Sequence, residues 1–168
     1  MKVVIASLNV GEEVAVFFIP LKCYEELLKE VIPPQIIDAL LLNLKVVGTL
    51  DVDPQVTGVV YMNVGPYEDK GVLIEITEGL HFPIEGITPI QCILNEEGKF
   101  IGCRYGTQKI ILKGDCNLHE VGKTSLSPKY IIGLCKEVID AIRNYYVGNK
   151  KVVAFAKVGS NLILWDVK

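Results

Sequence analysis

Between Gly114 and Ser125 the chain reads Gly114-Asp115-Cys116-Asn117-Leu118-His119-Glu120-Val121-Gly122-Lys123-Thr124-Ser125, which gathers a thiol, an imidazole, carboxylates and an ammonium into one stretch. A thiolate attacks a carbonyl or phosphoryl centre when a neighbouring base holds it deprotonated and a third group orients that base. Cys116 is the candidate nucleophile, His119 the candidate base with His81 as the other choice, and Asp115 or Glu120 the candidate orienter. Lys123 is a candidate ligand-binding cation, because Gly122-Lys123-Thr124 matches the end of a phosphate-binding loop. The match stops there: the first glycine of G-x-x-x-x-G-K-[ST] falls on Asn117.

Two further groupings carry chemistry. In Asp51-Val52-Asp53 a continuing strand places both carboxylates on one face, where a pair can bind a hard cation or split into an acid and a base. Asp51 and Asp53 are accordingly candidate ligand-binding residues. Cys103, Cys116 and His119 are of zinc-ligand type, but they fall short of four ligands and no C-x-x-C pair accompanies them, so no metal and no cofactor is expected. Cys92 and Cys103 flank the turn Asn95-Glu96-Glu97-Gly98-Lys99; with Asn95 opposite Phe100 they face each other across a hairpin, and a bulge would separate them. His81 and the tyrosines have no spacing that selects a ligand.

The elements that must position these groups follow from periodicity. Lys2 to Leu8 and Val14 to Ile19 read as an N-terminal hairpin around Asn9-Val10-Gly11. Leu21, Tyr24, Leu27, Leu28 and Val31 then recur at three and four, opposite Lys22, Glu25, Glu26, Lys29 and Glu30, which predicts an amphipathic helix stopped by Pro33-Pro34. A second helix through Ile37, Leu40, Leu41 and Leu44 carries almost no charge, so it belongs in a core or in a subunit interface. From Lys45 to Lys113 the runs are β-type, with Asp53-Pro54, Gly65-Pro66, Glu78-Gly79, Glu97-Gly98 and Gly106 between them, and connections this short favour an antiparallel meander. Residues Gly114 to Ser127 form the longest polar loop. Ser127-Pro128 then opens a long helix to Tyr146, and Val152 to Val158 with Leu162 to Val167 closes the chain as a hairpin.

The expected architecture is α+β: one domain over residues 1–168, with a mostly antiparallel sheet or open barrel of about eight strands and about three helices packed on one side. The 168 residues are enough to bury a core without staples. The residues are 50% hydrophobic and 22% charged, which leaves apolar surface that self-association would absorb, so a homo-oligomer is expected. A formal charge of −3 gives no general pull toward nucleic acid or anionic lipid, and no stretch reaches the ~18 apolar residues of a membrane span. A cytoplasmic placement fits, with most of the five cysteines as core packing. The leading functional expectation is a non-catalytic binding or assembly module that self-associates, with no small-molecule ligand selected. The alternative is a small thiol- or metal-dependent hydrolase centred on the 114–127 loop.

Overall fold

The computed structural model of the chain describes residues 2–10, 13–35, 37–63, 71–121, 126–146 and 151–168. Strands β1 (Val3–Val10) and β2 (Glu13–Pro20) form the expected hairpin, and β1 pairs on its other side with β3 (Lys45–Leu50), giving a three-stranded antiparallel sheet of order β2-β1-β3. The larger sheet contains β4 (Val56–Met62), β5 (Gly71–Glu78), β6 (Ile90–Asn95), β7 (Phe100–Arg104), β10 (Lys151–Val158) and β11 (Asn161–Asp166). Its order is β11-β10-β4-β5-β6-β7, every pair antiparallel. A separate two-stranded sheet joins β8 (Ile110–Leu112) to β9 (Leu118–Glu120).

Alternation along the strands of the large sheet divides the core in two. Val153 and Phe155 of β10, with Val56, Val60, Ile74, Ile76, Cys92 and Leu94, meet Ile131, Leu134, Cys135, Val138, Ile139 and Ile142 of the long helix α3 (Pro128–Tyr146). Val152, Ala154 and Ala156 point the other way and pack with Val59 against Val3, Ile5 and Phe18 of the small sheet. Trp165 of β11 seats the two sheets on each other: its indole meets the Phe18 ring edge-on, and it occupies the space over Gly48 that a side chain would fill. The Lys157 ammonium ties β10 to α3 by two hydrogen bonds to the Glu137 carboxylate, at 2.6 and 2.8 Å.

An α+β, sheet-dominated fold is therefore present, and the expected helix arrangement is corrected. About three helices on one side are not found. Helix α1 (Tyr24–Val31) and the short α2 (Ile37–Asn43) belong to the cluster around the small sheet, whereas α3 alone covers the opposite face of the large one. The reason lies in the strands: Val3, Val4, Ile5 and Ala6 are all buried, so the small sheet needs cover on both faces, and one layer of helices on a single sheet cannot supply it. A single sheet of about eight strands is also corrected, since the eleven strands among the described residues divide into sheets of three, six and two.

Candidate functional site

In the 114–127 loop, Cys116 Sγ is bonded to Cys23 Sγ, across a sequence separation of 93 residues. With that bond intact Cys116 has no thiolate and is half of a cross-link. Asp115 folds back on its own turn: Oδ1 accepts the Asn117 N–H at 2.9 Å and Oδ2 accepts the Asn117 amide at 3.0 Å. These bonds, the backbone one foremost, hold its carboxyl below the usual range, with His119 adding in the same direction. His119 lies on the exposed strand β9, opposite Ile111. The part of the loop read as polar coil thus contains a strand, and its carboxylate shapes a turn. Lys123, with Gly122 and Thr124, lies outside the described residues.

Strand β3 ends at Leu50, before both aspartates, so the alternation that would have placed them on one strand face does not extend to them. Asp53 is engaged in the fold. Its Oδ1 accepts the Gly114 N–H at 2.6 Å and its Oδ2 lies 3.9 Å from Lys2 Nζ, which pins the start of the 114–117 turn to the segment between β3 and β4. Asp51 is exposed. Among the described residues no three His, Cys, Asp or Glu side chains converge as a metal site requires, and Cys103, one of the zinc-type residues, is also disulfide-bonded.

Cys103 is bonded to Cys92, and the route to that pairing differs from the expected register. Asn95 faces Lys99, Leu94 faces Phe100, and a bulge between Ile93 and Leu94 shifts the ladder by one so that Cys92 meets Cys103. The irregularity that would have separated the cysteines brings them together. Gly98, at φ +81, supplies the left-handed residue that this turn requires.

The densest polar cluster lies elsewhere, on the inner face of the large sheet. Thr57 on β4 pairs with Thr77 on β5, and Val59 with Glu75, which pairs in turn with Gln91 on β6. The Thr57 hydroxyl donates to the Gly79 carbonyl at 2.8 Å and accepts the His81 N–H at 2.9 Å, while Thr77 Oγ1 and His81 Nδ1 share a hydrogen bond at 3.0 Å. The His81 carbonyl accepts the Phe18 N–H at 2.9 Å, so this residue joins the small sheet to the large one. Glu75 accepts from the Gln91 amide at 3.2 Å and hydrogen-bonds the Tyr61 hydroxyl. Burial, followed by the charge and hydrogen bond of Glu75, pushes the Tyr61 phenol up. Burial pushes the His81 imidazole down, and the Glu75 charge opposes it.

Tyr61, Glu75 and His81 are of the types that build proton relays, and here the Thr57–Thr77–His81 bonds and the Glu75 bonds form two neighbouring groups coupled by the Glu75 charge. Through the His81 carbonyl the first group also fastens the large sheet to the small one. Sequence reasoning did not assemble the cluster, although one signal was available: Glu75 is the only charge within Val72-Leu73-Ile74-Glu75-Ile76-Thr77, a run that must be buried.

No family model matches the chain, and no curated protein matches it in sequence. The open grooves on the surface include two of similar size. One, of about 560 Å³, runs between β3 and the start of α1 and is lined by Leu21, Tyr24 and Val46 among others. The other, of about 620 Å³, lies beside the start of α3 and is lined by Asp53, Lys113, Ser127 and Tyr130 among others. The Ser127 hydroxyl, 3.1 Å from the Tyr130 N–H, is the N-cap that the sequence indicates.

Proposed function

We propose that the chain is a non-catalytic binding or assembly module that self-associates, cross-linked by two disulfides. The observation that carries this reading is the apolar surface: Leu42 is 86% exposed, Ile101 65% and Val46 55%, in a chain whose core already holds some forty apolar side chains. Leu42 and Val46 flank the junction of α2 with β3, and Val46 shares its groove with the exposed Leu21. A second copy seated there would remove these side chains from water, at about 25 cal/mol for each Å² buried. On α2, whose one charged residue is Asp38, Ile37 enters the core while Leu42 faces solvent, which fits an interface role for the C-terminal end of the helix.

The competing reading is a small thiol- or metal-dependent hydrolase on the 114–127 loop, and its thiol form lacks a nucleophile while Cys116 is bonded to Cys23. The cytoplasmic placement also acquires a condition. Disulfides persist in oxidising compartments, or inside cells of organisms whose intracellular proteins are disulfide-rich, and a cytoplasmic home requires the second case. Among the described residues no helix is long and apolar enough to cross a membrane.

Light scattering coupled to size exclusion tests the proposal. A stable oligomer is expected, unchanged by mild reductant and shifted to monomer by a Leu42→Lys, Val46→Lys double variant. A monomer at micromolar concentration in the unaltered protein would remove the self-association claim.

A further inference from the structure

The two disulfides sit in different surroundings. Cys92 is wholly buried under α3, and its bond to Cys103 lies within one hairpin of the large sheet, 11 residues apart. Cys23 and Cys116 are both half-exposed, flanked by exposed Lys22, Asp115 and Asn117. Cys103 is as half-buried as Cys23 and Cys116, so a dithiol can meet either sulfur of Cys23–Cys116 but only Cys103 of the other bond, where attack would expel the Cys92 thiolate into an apolar core. The remaining thiol, Cys135, is buried in the α3 core and pushed up to about 12 by that burial, which removes it from exchange.

The accessible bond also restrains a segment that holds itself weakly. The β8–β9 ladder is a two-stranded sheet apart from the two main ones, a form that is marginal in isolation. Its first strand is anchored, since Leu112 is buried and its carbonyl accepts the Leu80 N–H at 3.0 Å. Its second strand, Leu118–Glu120, is exposed throughout. Cys116, in the turn between them, has φ +70, the left-handed region that a non-glycine residue adopts only where its surroundings impose it. The surroundings here are the Cys116 N–H bond to the Lys113 carbonyl at 3.0 Å, the Asp115 turn, the Asp53 carboxylate that fixes Gly114 at the start of that turn, and the link to Cys23.

We infer that Cys23–Cys116 is a thiol–disulfide exchange site, opened by a dithiol reductant in the folded protein to release the 113–121 segment, while Cys92–Cys103 stays closed. A thiolate of the reductant attacks one sulfur of the pair, the S–S bond breaks, and the other cysteine leaves as a thiolate that takes up a proton. The second thiol of the reductant then resolves the mixed disulfide. Two electrons pass to the cysteine pair, giving two thiols, and the reductant ends as a disulfide. This inference is independent of self-association and restores the Cys116 thiol only in the reduced state.

A graded dithiothreitol series, quenched with iodoacetamide and read by peptide mass spectrometry, tests it alongside hydrogen exchange on the same samples. Cys23 and Cys116 should be alkylated at reductant concentrations at least about tenfold below those that expose Cys92 and Cys103. At that point amides of residues 113–121 should lose protection, while those of β1, β4 and β10 keep theirs. Equal or reversed order of alkylation overturns the assignment, and so does alkylation of Cys23 and Cys116 only when β1, β4 and β10 lose protection too.

Discussion

Replacing Cys23 and Cys116 together by serine is expected to lower the thermal midpoint by about 9–18 °C, the largest effect of any two-residue change considered. The bond closes a loop with a sequence separation of 93 residues, and by the chain-entropy relation it removes about 4.6 kcal/mol from the freedom of the denatured chain. For a chain of this length each kcal/mol moves the midpoint by about 2–4 °C. The figure is a ceiling, because Cys92–Cys103 lies inside the same span and already restrains part of it. The same relation gives about 2.8 kcal/mol for that shorter loop, with its separation of 11 residues. A Cys92→Ser, Cys103→Ser variant should therefore lose less by entropy alone, and differential scanning calorimetry of both variants ranks them. A shift under about 3 °C for the long-range pair would mean that the denatured chain is held compact by other means.

This cost is compatible with opening of the same bond in the folded protein. Domains have roughly 5–15 kcal/mol of stability, so a chain deprived of one cross-link can remain folded while one segment, 113–121, exchanges freely. The two measurements read different equilibria: calorimetry the global one, alkylation the local one.

What the sequence discloses here follows the range of the interactions involved. The β1–β2 hairpin, α1, the Ser127 cap and the start of α3 were legible because each rests on neighbours a few residues apart. The Cys92–Cys103 pair was legible for the same reason, though the bulge that aligns it was not. Strand β9 was hidden because Leu118-His119-Glu120 carries one apolar residue and no alternation, and its partner lies across a turn that Asp115 and Cys116 build. The Cys23–Cys116 bond was out of reach, since five cysteines admit many pairings and spacing does not choose among them. Stacking of the two sheets, which decides that α1 and α3 serve different layers, depends on Trp165 meeting Phe18 and Gly48 over more than a hundred residues of chain.

Acidification should weaken the fold through His81 in a way that a single substitution can isolate. Burial lowers the imidazole pKa in the folded state, and the unfolded chain has the ordinary value near 6.5. Above about pH 6.5 both states are neutral at this residue and its contribution is fully present. Below it the unfolded chain takes up a proton that the folded chain refuses, so stability falls with a slope approaching about 1.4 kcal/mol per pH unit until the folded imidazole is protonated as well. The Glu75 charge, acting in the opposite direction, moves that lower limit upward and shortens the window. His81→Asn keeps a polar group beside Thr77 and removes the titration. At pH 7.5 the variant should be about 1–3 kcal/mol less stable in urea unfolding, from the disturbed bond to Thr77 Oγ1. As the pH falls from 6.5 to 5 the two proteins should converge, because the unaltered chain alone loses the histidine contribution while acid losses at the carboxylates are common to both. A difference that stays constant over that range would show that His81 has the same affinity for protons folded and unfolded, and the reading of it as a neutral fastener between the sheets would fail.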